Sequence, residues 1–299
     1  MKVQDPPKHS AKLLRERIPY ALELFEDDGF GNRVLKSMPT PSELDRFYAT
    51  NFSRQSYERF GKKLEALRRA WFGRSFLSKS QKLRPAVLEV GSGNGQFLAA
   101  FRKLSPNAGL SAVEFVNPDL KKVASQNQID CFSSLEELEM RGGSFDLIAL
   151  WHVLEHLADP WSLIRRLTKL LKQEGALVFS TPNMFCPGVL RYPSSWPWNQ
   201  PPPIHLWHFH PKALERRLHS EFPDCGIRAF TRESRDANFL FDAFVRPQVL
   251  NFVPFSATKN LRFQSVVRLT AACFNETILN PILRQKGLFG SEIVAILKR

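Results

Sequence analysis

The sequence predicts an α/β chain built on a doubly wound, mainly parallel sheet. Three observations predict it. Short apolar runs that read as buried strands alternate with helix-period segments between residues 84 and 183. The first of these runs ends in a turn carrying three glycines, "GSGNG" at 91–95. The helices between the strands carry their own start and stop residues.

Residues 1–80 read as an N-terminal helical lead-in, in which "SYERFGKKLEALRRAWFGRSFLSK" sets Leu64, Leu67, Trp71 and Phe72 on one face. A core follows over 81–185. "AVLEV" (86–90) is its first strand, and "GQFLAAFRKL" the helix after it. "GLSAVEF" (109–115) is the second strand; "NPDLKKVASQ" then starts a helix with Asn117 as N-cap and Pro118 at the first helical position. "IDCF" and "FDLIALW" (145–151) are the third and fourth strands. "DPWSLIRRLTKLLKQEG" is a helix capped by Asp159, opened by Pro160 and stopped at Gly175, before a fifth strand, "ALVFSTPN" (176–183). Beyond it the rhythm breaks. Residues 186–236 form an aromatic, proline-rich lid with one helix and one strand, 237–288 a helical cap insertion, and 289–299 a closing strand, "SEIVAILKR".

Bulk properties narrow the function. The chain has 299 residues, 43% of them hydrophobic, enough for one large domain or a domain with a cap. Its formal charge is +13, and the flanks carry it: +6 over 1–80 (16 basic minus 10 acidic), +1 over 81–200 (12 minus 11) and +6 over 201–299 (14 minus 8). Basic flanks attract anions such as nucleic acid, phosphorylated substrates or acidic lipid. The four cysteines form no C-x-x-C pair, which argues against a zinc ribbon and for a reducing compartment. "MKVQDPPKHS" has no apolar signal core and no segment is apolar enough to span a bilayer, so a cytoplasmic location is expected. Phe and Leu interleaved with Arg246, Lys259, Arg262 and Arg268 give residues 237–288 the composition of a peripheral contact with anionic membrane. Cap packing or a homodimer interface competes with that reading, and the expected state is monomer or homodimer.

The glycine turn brings backbone close to a ligand. In an open parallel sheet that ligand sits at the carboxyl ends of the strands. A dinucleotide fingerprint needs a third glycine where Gln96 stands, and no G-K-[ST] is present for a phosphate loop. Glu89, two positions before Gly91, suits a ligand bearing positive charge. Glu114 ends the second strand, where a carboxylate accepts both hydroxyls of a ribose.

These residues resemble the class I S-adenosylmethionine-dependent methyltransferases, and in detail the subgroup that contains the ubiquinone-biosynthesis O-methyltransferases. "VLEVGSGNG", "AVEF", "SLEEL", "FDLIALWHVLEHLADP" and "STPN" carry the resemblance, over about residues 84–183 with the closing strand. It implies a Rossmann-like sheet of seven strands, the last antiparallel, with S-adenosyl-L-methionine as cofactor. It implies that Glu89, Gly91, Ser92, Gly93, Asn94 and Gly95 surround the methionine part, and that Glu114 holds the ribose with Phe115 beside the adenine. Ser134 and Leu135 would border the adenine, with Ser134 where many relatives have aspartate. Trp151 and His152 would face the sulfonium side.

Methyl transfer from a sulfonium is an in-line displacement. The protein's part is to align the nucleophile, exclude water and accept a proton, a task suited to histidine. His152, ending strand four, and His205, in the lid segment "PPIHLWHF", are the candidate bases. His156 lies four residues from His152, hence on one helical face, and reads as a structural hydrogen bond. Trp196, Trp198, Trp207 and His208 are candidate substrate contacts, through stacking. Metal-using relatives have E-x-x-E-H where this chain has His152, Glu155 and His156, so no metal is expected. Three functions follow: a methyltransferase for a small-molecule, lipid-linked or glycan-linked O or N nucleophile; an RNA or other nucleic-acid methyltransferase; and a non-catalytic cofactor-binding scaffold. The second is disfavoured because "LWHVLEH" stands where base-amino methylating enzymes carry [DNS]-P-P-[YF].

Overall fold

The computed structural model describes residues 24–51, 60–114, 118–186, 204–232 and 290–299. Phe115, Asn117, Trp196, Trp198 and the cap insertion at 237–288 lie outside them.

Among the described residues, ten strands form two sheets. The larger has seven strands in the order β5-β4-β3-β6-β7-β10-β9. They are β3 (Ala86–Val90), β4 (Gly109–Val113), β5 (Ile129–Phe132), β6 (Phe145–Trp151), β7 (Leu171–Pro182), β9 (Gly226–Arg232) and β10 (Glu292–Lys298). Strands β5, β4, β3, β6 and β7 run parallel, and β10 is antiparallel, as the sequence predicts. Reversal of strand order at β3 puts a crevice beyond its carboxyl end, where such sheets bind ligands.

The chain divides into two compact units. One comprises Pro39–Thr181, Leu218–Arg228 and Ala295–Arg299. Here β3 and β6 are buried on both faces, with Leu88, Leu147, Ile148 and Leu150 wholly inside, which explains why they read as continuous apolar runs. The helices of this unit are α1 (Pro41–Asn51), α2 (Phe60–Ser75), α3 (Gln96–Leu104), α4 (Pro118–Asn127), α5 (Leu135–Arg141) and α6 (Pro160–Lys169). α6 begins as predicted: Asp159 Oδ1 accepts from Ser162 N at 3.0 Å and Pro160 follows it.

Gly175 does not stop α6. The helix ends at Lys169 and the chain enters β7 at once. The β6–β7 register jumps from Phe145↔Leu171 to Leu147↔Ala176, so the intervening residues bulge out. A Cβ at Gly175 would lie 2.8 Å from Lys172 O and 2.9 Å from Phe145 O. The glycine thus permits close backbone approach at a bulge, and Glu174 beside it takes φ 62°.

The other unit comprises Met1–Met38, Pro182–Arg217 and Ala229–Val294. Its small sheet, β1 (Phe25–Asp27), β2 (Arg33–Leu35) and β8 (Trp207–His208), puts two short strands inside the segment read as a helical lead-in, whose helices α1 and α2 follow them. The turn between β1 and β2 is tied by two aspartates. Asp27 Oδ1 accepts from Gly29 N, while Asp28 Oδ1 accepts from Phe30 N and Asn32 N. α7 (Pro211–Glu221) supplies Arg217, whose Nη1 lies 2.9 Å from Asp28 Oδ2. Among the described residues, no helix is long and apolar enough to cross a membrane.

Candidate active site

The turn after β3 is built by three glycines, all at positive φ. A Cβ at Gly91 would lie 2.5 Å from Val153 Cγ2, and one at Gly95 2.9 Å from Leu120 Cδ1. Those two glycines let the turn press against the loop after β6 and against α4. Gly93 differs: among the described residues, a Cβ there meets nothing within 4 Å, so its backbone is open. Gly91 N donates to Val113 O at 2.9 Å and Gly93 N donates to Glu114 Oε2 at 2.5 Å, tying the turn to the tip of β4. Ser92 and Gly95 close the turn through Gly95 N to Ser92 O, 2.8 Å, with half-buried Asn94 between them.

Beneath this turn Glu89 is only 4% exposed. Its register neighbours are Ala112 on β4 and Ala149 on β6. Its Oε2 has no hydrogen-bond partner among the described residues, and neither do the buried oxygens Ser92 Oγ and Gln96 Oε1. Burial, joined by the like charge of Glu114, pushes the Glu89 carboxyl well above the usual carboxylate range; the Arg69 guanidinium opposes this.

Arg69 was not among the residues the sequence singled out. It reaches this place from α2, where its Nε bonds Glu65 Oε1 at 3.0 Å and its guanidinium lies 5.0 Å over the Trp151 ring. Trp151 is buried, with Phe97 of α3 5.5 Å away. Ser134 and Leu135 lie at the carboxyl end of β5. There Ser134 caps α5 by accepting from Glu137 N at 3.2 Å, and the Leu135 side chain is buried.

Past Trp151 the chain turns sharply. His152 takes φ 57°, a conformation costly for a non-glycine residue, while its N–H donates to Ser180 O at 2.9 Å. The expected helical face for His152 and His156 is not formed; only a single 3-10 turn, Leu154–His156, follows. The two histidines converge instead on Glu155, which is 1% exposed. Glu155 Oε1 lies 3.4 Å from His152 Nδ1 and 3.9 Å from His156 Nε2, and its Oε2 accepts from Thr181 Oγ1 at 2.9 Å. A buried carboxylate facing a histidine Nδ1 is the arrangement that orients an imidazole as a base.

In the other unit, Trp207 and His208 are engaged in packing. Trp207 stacks on Phe209 with centroids 5.7 Å apart, and Arg217 lies 5.8 Å from its ring and 5.4 Å from that of Phe30. His208 is buried 4.4 Å from the Phe25 ring, and desolvation lowers its pKa to about 4. His205 is buried as well, 6.5 Å from His208 between ring centroids.

A turn that opens one glycine to a ligand, a carboxylate at the neighbouring strand tip and a buried acid beneath define the class. It is the methyltransferases that use S-adenosyl-L-methionine, on a sheet with an antiparallel last strand. The chain belongs to the methyltransferase-domain family, whose profile matches residues 58–221. It is 35% identical over 115 residues to the ubiquinone biosynthesis O-methyltransferase of Xanthomonas axonopodis pv. citri, covering 35% of this chain and 47% of that protein. It is 38% identical over 105 residues to the Xanthomonas campestris pv. campestris (strain B100) protein of the same name, covering 32% and 43%. The chain thus spans less than half the length of these curated relatives. Among solved structures, the plantazolicin methyltransferase BpumL in complex with a triazolic desmethylPZN analog and SAH shares the fold. Its TM-score is 0.52 at 15% identity, over 86% of this chain and 90% of that chain. The plantazolicin methyltransferase BamL, also with a triazolic analog and SAH, gives 0.51 at 12%, over 87% and 91%.

Proposed function

We propose that this protein transfers a methyl group from S-adenosyl-L-methionine to an oxygen or nitrogen atom of a small-molecule, lipid-linked or glycan-linked acceptor. One observation carries the reading: among the described residues, buried oxygens of Glu89, Ser92 and Gln96 lack partners around a turn whose Gly93 backbone is open. Acceptor atoms buried without donors are costly to the folded state unless a ligand supplies donors or positive charge. The cofactor's methionine end supplies both, and its nucleoside hydroxyls suit Glu114.

Bound there, S-adenosyl-L-methionine provides a methyl group already activated on a sulfonium. The residues then have few tasks. Gly93 admits the ligand, Gly91 and Gly95 let the turn pack closely beneath it, Glu89 and Arg69 set the charge there, and Trp151 walls off water. Ser134 and Leu135 frame the adenine from the tip of β5. His152 takes the acceptor's proton at Nε2, with Glu155 facing Nδ1 and Thr181 anchoring Glu155. An oxygen nucleophile is favoured by the O-methyltransferases to which the core is similar.

Calorimetry with S-adenosylhomocysteine, followed by labelled-methyl transfer into small-molecule, lipid and glycan fractions, tests the proposal. One-to-one binding is expected. His152→Ala should keep its affinity within about two-fold while turnover falls by roughly 10²–10⁴-fold. Absence of binding would overturn the reading, and equal losses of affinity and turnover would make His152 structural.

A further inference from the structure

Glu89 raises a question that cofactor placement alone does not answer: in what charge state does it wait? We propose that cofactor binding is proton-coupled, the Glu89 carboxyl carrying a proton while the turn is empty and releasing it to solvent when the cationic methionine end of the cofactor enters. This rests on the reading of the site given above, and it makes Glu89 the residue by which the site senses cofactor charge.

The geometry supports it. The carboxyl lies under the turn with Ala112 and Ala149 as strand neighbours, so neither β4 nor β6 offers it a charge there. Two charged groups act on it. From α2, Arg69 attracts the ionised form, but that guanidinium is shared with Glu65 at 3.0 Å and lies over Trp151. From beyond β4, Glu114 repels it, and Glu114 is fixed by Gly93 N. With Oε2 lacking any donor among the described residues, an ionised Glu89 would be a buried, half-solvated anion. Protonation is the cheaper state, in keeping with the upward displacement of its pKa.

The balance is simple. The carboxyl O–H bond breaks, its electron pair stays on the oxygen, and the proton passes to buffer. S-adenosylmethionine brings an ammonium, a sulfonium and a carboxylate, one net positive charge, so its entry with ionised Glu89 leaves the buried site with no net charge. Its demethylated product keeps the ammonium and the carboxylate, so there only the ammonium pairs with Glu89. Cofactor affinity should therefore rise with pH up to the elevated value of the empty site and level off above it.

Titrating S-adenosylhomocysteine and S-adenosylmethionine into the full chain by calorimetry, in phosphate and in Tris, counts the protons. On the order of one proton per bound cofactor should be released within that pH window, with Kd falling up to about ten-fold per pH unit. Glu89→Gln should bind more weakly, release none and lose the pH slope. Release with the sulfonium compound but not with its product identifies the sulfonium as the trigger and supports the inference. Equal heats in both buffers for both compounds, or undiminished release from Glu89→Gln, would overturn it while leaving the function reading intact. No binding of either compound would overturn both. Should Glu89→Gln misfold, infrared difference spectra of the unaltered protein decide: loss of a protonated-carboxyl band on binding is expected, and its absence would refute the inference.

Discussion

Glu89 on β3 and Glu292 on β10 are both glutamates buried on strands, yet they are treated in opposite ways. Glu292 is wholly buried and meets the equally buried Arg232 at 2.6 Å. Around that pair the backbone is stitched tightly. Gly290 N donates to Thr231 Oγ1 at 3.2 Å, and Asn183 Nδ2 donates to Gly290 O at 2.7 Å. Glu89 has only Arg69 as a cation acting on it from a distance, and the like charge of Glu114 opposes its ionisation. The first glutamate meets its counter-charge directly within the chain. The second does not. A buried charge matched internally belongs to the architecture, whereas one left wanting marks where something else is to arrive.

Breaking the completed pair should have the largest effect. Arg232→Met takes the cation away from a wholly buried carboxylate, which costs about 3–5 kcal/mol. A large drop in the thermal midpoint, measured by circular dichroism near neutral pH, is expected. The double variant Arg232→Met/Glu292→Leu should recover much of it, because apolar packing can replace a buried ion pair. A single variant as stable as the parent would show that the two glutamates do not differ as described.

Next in size is the approach of the ligand to the open side of the turn. Gly93→Val should weaken S-adenosylhomocysteine binding by at least about 10²-fold, since a branched side chain fills the space through which backbone meets ligand. Gly142 provides the control. It too has positive φ and nothing within 4 Å of an added Cβ, but it stands at the end of α5. Gly142→Val should lose stability and keep its affinity. Unchanged affinity in Gly93→Val would remove the ligand from this place.

Much of the contrast between the two glutamates is written locally. The alternation of apolar runs with capped helices is short-range, so the central parallel strands and the glycine turn could be read directly, and Glu89 stood out as an acid inside an apolar run. Four things could not be read. The β1–β2 hairpin has three-residue strands and completes its sheet only with β8, some 170 residues later, so no local period announces it. Gly175 looks like a helix stop, and its purpose, close approach to Phe145 O, is set by pairing with another strand. The spacing of His152 and His156 suggested a helix, but left-handed backbone at His152 ends that periodicity and brings both rings to Glu155. Arg69 shares its helix with other basic residues, and only packing of α2 beside Trp151 distinguishes it.

The smallest expected effect sharpens the comparison most, because its sign is opposite to that at Glu292. A carboxyl whose pKa is higher in the folded than in the unfolded protein binds more protons when folded, so stability falls as pH rises above the ordinary value of 4.5 towards the folded value. Glu89→Gln removes that loss. In the cofactor-free protein it should therefore be neutral near pH 4.5 and become stabilising at higher pH, by about 1 kcal/mol, seen as a raised thermal midpoint. Glu292→Gln should destabilise, since it removes the carboxylate that Arg232 Nε meets. If Glu89→Gln instead lowered the midpoint at every pH, Glu89 would be a satisfied structural acid like Glu292, and the turn above it would have no unmet charge to offer a cation.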